Sequence, residues 1–202
     1  GFAPLPVTCS RYLKEDTILC FFILLCVLCL VLAGKRKSQK LFYFSAFAGG
    51  LALGSKYTAL LILPLFFIYP LLFKNNYRIS QKEFTNSIVA SIIFGISFLL
   101  GFLHEARHAL DGHHGVTISP WDHYWSFHLS RSIIPGLGLI TFILAGIGIG
   151  LETFSKQRFG LLLVFLFLLF LLPAEYAPSK PMPQPDRYIL PALPWLCILA
   201  AY

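Results

Sequence analysis

The sequence predicts an all-α fold: a polytopic bundle of transmembrane helices with about seven spans, short extracytoplasmic loops and a single membrane domain over residues 1–202. Of the 202 residues, 57% are hydrophobic and only 12% are charged, whereas an average soluble domain is roughly 25% charged. The mean hydropathy is +0.74. The apolar residues also form runs long enough to cross a hydrocarbon core of ~30 Å.

The predicted spans follow from the lengths of these apolar runs. Five runs stand alone, at residues 17–32, 86–103, 133–151, 159–173 and 189–202. A sixth run covers residues 41–73, and at 1.5 Å per residue it would form a helix of ~50 Å, which is too long for one crossing. We divide it at Gly54-Ser55-Lys56 into spans 41–54 and 57–73, because Gly-Ser is a plausible break in a helix.

Basic loops orient the spans. Nine of the 16 Lys and Arg residues, but only two of the nine acidic residues, lie in three short loops at 34–40, 74–85 and 152–158. The positive-inside rule makes these loops cytoplasmic. Segments 1–16, 104–130 and 174–187 are then extracytoplasmic, and Lys56 lies at the outer interface. We interpret the formal net charge of +7 as a signal of orientation and expect no nucleic-acid partner.

Two cations, Lys56 and Arg187, fall at the same predicted outer face, where they would suit an anionic headgroup because Lys and Arg pair well with phosphate. Each also has an ordinary structural interpretation. Lys56 could extend its ammonium from an apolar stem to the interface, and Arg187 could be a simple loop cation.

The string His104-Glu105-Ala106-Arg107-His108 matches H-E-x-x-H, in which two histidines one helical turn apart bind zinc and the glutamate acts as general base. An integral-membrane zinc metalloprotease is therefore an alternative, with His104 and His108 as metal ligands. This segment is rich in histidine, so a chance match is easy, and we expect no metal site. A transporter is a further alternative, but its charges should face a pore within the spans, which carry almost none.

Four motifs, in order along the chain, resemble those of polytopic glycosyltransferases of the GT-C class. The similarity is greatest to the protein-mannosyltransferase and aminoarabinose-transferase-like group, glycosyltransferase family thirty-nine. The motifs are Ser10-Arg11-Tyr12 with Asp16, Gly54-Ser55-Lys56-Tyr57 within segment 49–60, Phe127-His128-Leu129 followed by Pro135-Gly136-Leu137-Gly138, and Asp186-Arg187-Tyr188 followed by Pro191 and Pro194.

The resemblance implies a membrane glycosyltransferase that moves a sugar from a polyprenyl-phosphate-linked donor to a protein, lipid or glycan acceptor at the extracytoplasmic face, without a cofactor. Lys56 and Arg187 would bind the lipid phosphate. The extracytoplasmic cleft would be lined by Arg11, Asp16, Tyr57, His128 and Tyr188. An Arg11–Asp16 structural pair is an equal alternative. The expected location is the plasma membrane of a bacterium, or the endoplasmic reticulum if the source is eukaryotic.

The catalytic carboxylate of the resembled family lies in the loop that precedes the Ser-Arg-Tyr motif. The chain opens at Gly1, and its single methionine is Met182, so we expect a piece of a longer protein that lacks this residue. The catalytic residue is therefore left unassigned. A carboxylate of the outer loop, such as Asp111 or Asp122, could replace it, although the family pattern argues against this.

Overall fold

The computed structural model describes residues 15–73, 80–110, 128–155, 158–176 and 186–201. Every regular element in these ranges is a helix, which confirms the predicted all-α class. In chain order the elements are α1 (Glu15–Arg36), α2 (Gln39–Ser55), a first 3₁₀-helix (Tyr57–Ile62), α3 (Leu65–Phe73), α4 (Gln81–Leu110), a π-helical turn (His128–Ile133), α5 (Ile134–Leu137), α6 (Leu139–Ser155), α7 (Arg158–Tyr176), a second 3₁₀-helix (Asp186–Ala192) and α8 (Leu193–Ala201).

The chain is a polytopic helical membrane protein. Among the described residues, three helical stretches are long and apolar enough to cross a membrane: Asp16–Arg36, Gln81–Leu99 and Arg158–Glu175. Shorter apolar helical stretches are Tyr57–Phe73, Leu139–Phe154 and Ile189–Ala201. The described helices overlap the predicted spans, while the bounds of the spans and the total of seven crossings stay predictions.

Large apolar side chains form continuous exposed stripes on the long helices. On α4 they recur every four residues, at Phe84, Ile88, Ile92 and Ile96, with exposed fractions between 40% and 56%. On α6, Ile140 is 76% exposed and Phe154 is 87% exposed. A soluble monomer rarely leaves such stripes in water. In a bilayer they are the natural lipid-facing surface, because the helix already satisfies its own backbone.

Some predicted spans consist of separate helical segments, because a residue interrupts the α-helical hydrogen bonds. Span 57–73 consists of the first 3₁₀-helix and α3, joined at Leu63-Pro64, because proline has no backbone N–H to donate. Span 133–151 is divided at Gly138, whose φ of 81° suits glycine alone among common residues. By contrast α4 runs on to Leu110, seven residues beyond the predicted end at 103.

The structure contains two compact units, one of residues 18–113 and one of residues 1–17 with 114–202. In the first unit α2 packs chiefly against α4. The buried face of α2 consists of small residues, including Ser45, Gly49 and Gly50. A Cβ on Gly50 would collide with the backbone carbonyl of Phe94 on α4. Small residues of this kind let two backbones approach closely, which is the usual basis of helix packing in membranes.

Residues 39–73 form a hairpin in the same unit. The side chain of Phe42, near the start of α2, packs against Phe66 and Tyr69 of α3, with ring centroids 5.9 and 4.7 Å apart. The Phe73 ring lies directly against Gly34 at the end of α1. The hydroxyl of Ser87 on α4 donates to the carbonyl of Phe66 at 2.8 Å. The second leg of the hairpin therefore returns to the end at which the first leg began.

In the second unit α8 packs against α6 and α7. A Cβ on Gly148 of α6 would meet the backbone carbonyl of Leu199 of α8, so these helices also make a close backbone contact. The π-helical turn packs against the second 3₁₀-helix and against α7. These three elements carry the candidate site residues of this unit.

Candidate functional site

Lys56 lies at the point where α2 ends and the chain turns back. Its backbone is extended, with φ −162° and ψ 137°. Its N–H donates to the carbonyl of Ala52 at 3.0 Å, and its own carbonyl accepts from the N–H of Ala59 at 3.1 Å. The Ser55 hydroxyl donates to the carbonyl of Leu51 at 3.2 Å. These bonds satisfy backbone groups on both sides of the turn. Helix α2 therefore ends at Ser55, within the Gly54-Ser55-Lys56 segment at which the sequence places the break.

The residues that follow Lys56 supply a hydroxyl-rich surface. Tyr57 is 75% exposed, although an aromatic ring in a membrane domain is more often packed. The Oγ1 atom of Thr58 is buried, and no described residue hydrogen-bonds to it. An unsatisfied buried hydroxyl costs free energy, so Thr58 is a group that a polar ligand could satisfy. The sequence analysis did not assign Thr58 a role, since Thr is common in such turns.

In the second unit His128 is fully buried in the π-helical turn. Its Nδ1 lies 3.0 Å from the Oγ of Ser132, one turn further along. Single π-helical turns are rare and are frequently found at functional sites. A neutral imidazole has one donor and one acceptor nitrogen, so the bond to Ser132 leaves Nε2 as the second polar position of the ring.

Glu175 is a buried carboxylate that the sequence analysis did not select. Its Oε1 accepts a hydrogen bond from the backbone N–H of Leu129 at 2.8 Å, which joins the end of α7 to the π-helical turn. Its Oε2 is buried and has no hydrogen-bond partner among the described residues. The available sequence signal was an acid placed directly after the apolar run 159–173, on the predicted outer side.

The other predicted cleft residues are placed as follows. Asp16 is in the first turn of α1 and is 2% exposed. The backbone of Arg187 and Tyr188 lies in the second 3₁₀-helix, which packs against the turn that carries His128. Arg11 lies outside the described residues. The structure thus brings the element bearing Arg187 and Tyr188 next to the element bearing His128.

The histidine pair of the metal alternative lies on continuous helical backbone. His104 and His108 both fall within α4, as an H-E-x-x-H zinc site would need. The side chains of residues 100–110 lie outside the described part of the structure, so the metal alternative stays a prediction. Among the side chains that are described, no group of three or more His, Cys, Asp or Glu could hold a metal ion.

Residues 2–101 match the family model described as dolichyl-phosphate-mannose-protein mannosyltransferase. This range contains the first two motifs, with Asp16 and Lys56. No curated protein and no solved structure matches the chain. A helical membrane fold is what the match to this family of membrane glycosyltransferases leads one to expect, so the structure and the family match support the same assignment. The chain is therefore a GT-C mannosyltransferase-like protein and, in its general class, a membrane glycosyltransferase.

Proposed function

We propose that this protein transfers a sugar from a polyprenyl-phosphate-linked donor to an acceptor at the extracytoplasmic face of the membrane, and that Lys56 and Arg187 bind the lipid phosphate. The acceptor is a protein, a lipid or a glycan. The membrane is the plasma membrane of a bacterium, or the endoplasmic reticulum of a eukaryote. The observation that supports the proposal best is the hairpin of residues 39–73.

The hairpin separates Lys56 from the basic loop that precedes it. Helix α2 begins at Gln39 and ends at Ser55, so its 17 residues rise ~25 Å. The second leg then returns, because Phe73 packs on Gly34. If the basic loop 34–40 is cytoplasmic, Lys56 lies near the opposite interface. A cation with an apolar stem is well suited to that depth.

The chemistry of transfer needs a cation at this position. The bond between the anomeric carbon and the phosphate oxygen breaks, the acceptor heteroatom forms the new glycosidic bond, and the polyprenyl phosphate leaves with the electron pair. The acceptor proton goes to a base, which the family resemblance places before Ser10. Negative charge develops on the leaving phosphate, and a fixed ammonium stabilises it more strongly in the transition state than in the ground state.

Thr58 is suited to donate a hydrogen bond, as a neutral group, to the same leaving phosphate. Its buried hydroxyl has no hydrogen-bond partner among the described residues and follows Lys56 by two residues. A phosphate oxygen is a strong acceptor. We therefore assign Thr58 to the phosphate contact together with Lys56, with Tyr57 at the exposed edge.

Transfer of radiolabelled sugar from polyprenyl-phosphate donors, measured in the protein expressed from its natural gene, tests the proposal. Removing one preorganised charge partner typically lowers kcat ~10²-fold or more. We expect that loss for Lys56→Met and a much smaller one for Lys56→Arg, which keeps the cation. Lys40→Met is the matched control, because Lys40 is an exposed lysine on the same helix at its other end.

Two results would contradict the proposal. Full transfer by a correctly inserted Lys56→Met protein would remove Lys56 from the mechanism. Absence of transfer from any donor, together with tightly bound zinc that His104→Ala abolishes, would favour the metalloprotease. Transfer that continues in the presence of a chelator supports the glycosyltransferase.

A further inference from the structure

A cavity of about 630 Å³ opens at the end of the first unit that lies opposite Lys56. It is bounded by the end of α1, the start of α2, the end of α3 and the start of α4. Phe42, Tyr69 and Phe73 line its apolar part, and Lys37 and Lys82 are its cations. A volume in this range suits a small-molecule ligand. The predicted orientation puts the opening at the cytoplasmic interface.

Lys37 is held in a conformation that lysine rarely adopts. Its φ is 49°, in the left-handed region that favours glycine, and it is the one such non-glycine residue in the described part of the chain. The N–H of Ser38 donates to the carbonyl of Ala33 at 3.0 Å, so the end of α1 is a Schellman motif with Lys37 at the usual glycine position. A lysine at a strained backbone position that borders a cavity is a candidate for a role of its side chain.

The polar rim of the cavity is cross-linked between helices. The side-chain amide of Gln39 donates to the hydroxyl of Tyr43 at 2.7 Å and to the Oδ1 of Asn86 at 3.0 Å. The Tyr43 hydroxyl donates to the same Oδ1 at 3.1 Å. This network ties α2 to α4 and holds the mouth of the cavity in one shape, so a ligand need not order it on binding.

The charge around the cavity favours an anion. Among the described lining residues two cations, Lys37 and Lys82, outnumber one acid, Glu83, which forms a capping box in which its Oε2 accepts from both the N–H and the hydroxyl of Ser80 at 2.8 Å. Ser38 caps α2 through a 3.4 Å bond from the N–H of Leu41. Two helices begin and two others end at the cavity, so their dipoles largely offset one another, and the positive potential comes from Lys37 and Lys82.

From this combination we infer that the cavity binds the phosphate headgroup of an anionic phospholipid in the cytoplasmic leaflet. The phosphate would lie against Lys37 and Lys82, and the glycerol and upper acyl carbons against Phe42, Tyr69 and Phe73. Basic pockets between transmembrane helices on the cytoplasmic side bind lipid headgroups in this way. The site is independent of the proposed transfer reaction, since it lies at the other end of the hairpin from Lys56.

The test is thermal unfolding of the purified full chain in nanodiscs of phosphatidylcholine, with and without 20% phosphatidylglycerol, together with native mass spectrometry of retained lipid. We expect phosphatidylglycerol to raise Tm for the unmodified protein. Lys37→Gly and Lys82→Gln should each weaken phosphatidylglycerol retention about fivefold, since one juxtamembrane cation contributes about that factor. Lys37→Gly removes the cation and relieves the backbone, so loss of lipid binding without loss of folding separates a binding role from a structural one.

Lys40→Gln is the matched control, because Lys40 is an exposed cation of the same loop that does not line the cavity. An equal loss of lipid with Lys40→Gln would show diffuse attraction to the membrane and overturn the site. Unchanged retention in both Lys37→Gly and Lys82→Gln would do the same. Stabilisation by inorganic phosphate, with phosphatidylglycerol inert, would assign the cavity to a soluble phosphate compound and contradict the lipid.

Discussion

Buried polar side chains in this protein hydrogen-bond to backbone groups of neighbouring elements. Glu175 accepts the N–H of Leu129 at the π-helical turn, and the Ser45 hydroxyl donates to the carbonyl of Cys26 at 2.9 Å between α1 and α2. In an apolar surrounding each such group is costly when unpaired. A single substitution can therefore have a large effect even at a position far from any ligand.

Glu175→Ala should destabilise the protein by about 1 kcal/mol, because it removes the acceptor of the part-buried Leu129 N–H. Glu175→Gln retains a side-chain carbonyl and should preserve most of the stability. Thermal unfolding of the three proteins in one detergent measures both effects. Equal Tm values for the Ala and Gln variants would show that the 2.8 Å bond contributes nothing.

At this scale the sequence points to some candidate site residues and not to others, for a physical reason. Lys56 could be predicted because a charge beside Gly-Ser interrupts a long apolar run. Glu175 and Thr58 could not, because both are candidates only through the burial of their polar atoms, and for Glu175 also through a hydrogen bond to Leu129, which is distant in sequence. Lys37 was predicted only as one of several loop cations, since its left-handed backbone depends on how α1 ends.

At the scale of the helices, α2 is defined by its small residues. Gly49 and Gly50 face α4 and α1: a Cβ on Gly49 would lie 2.9 Å from the Phe94 ring and 3.3 Å from the Sγ of Cys26. Because α2 is in contact on both sides, its position is determined by backbone proximity rather than by large interlocking side chains.

Gly50→Ala should destabilise the first unit by about 1–3 kcal/mol, since its methyl group collides with the Phe94 carbonyl and must push two helices apart. Gly95→Ala is the matched control, because a Cβ there meets nothing within 4 Å. The comparison is made by thermal unfolding in detergent. A Gly50→Ala protein as stable as the Gly95→Ala protein would contradict the close packing of α2 on α4.

The existence of the helices was predictable from apolar run lengths, but their internal divisions were not. Pro64 and Gly138 were visible in the sequence, yet a proline or glycine within a membrane span is often tolerated. Whether it ends a helix is decided by the neighbours that satisfy the freed backbone groups. The extension of α4 to Leu110 was missed for the converse reason, because polar residues beyond 103 gave no apolar signal.

For the whole molecule, orientation is the property on which both proposals depend. The positive-inside rule sums cations over entire loops, so it can be applied to a sequence without any structure. If each leg of the hairpin crosses the membrane, Lys40 at the start of α2 and the turn at Tyr57 must lie on opposite sides of the membrane. The two proposed phosphate sites are accordingly assigned to opposite faces of the membrane.

Single cysteines at positions 40 and 57 test this orientation. In a background with the five native cysteines replaced, we expect Tyr57→Cys to react with a membrane-impermeant maleimide on intact cells. Lys40→Cys should react only after the membrane is permeabilised. Both positions are exposed, so access to the reagent depends on sidedness alone. Labelling of both from the outside would rule out the assigned topology.

The small-residue surface of α2 has a consequence for synthesis of the protein. Its partner surface on α4 begins about forty residues later in the chain, which a ribosome takes on the order of 2–8 s to add. During that interval Gly49 and Gly50 have no α4 to cover them. Insertion and packing of α2 are therefore separate events, and a chain interrupted before Phe94 leaves a narrow, polar strip of helix open to lipid or to quality-control proteases.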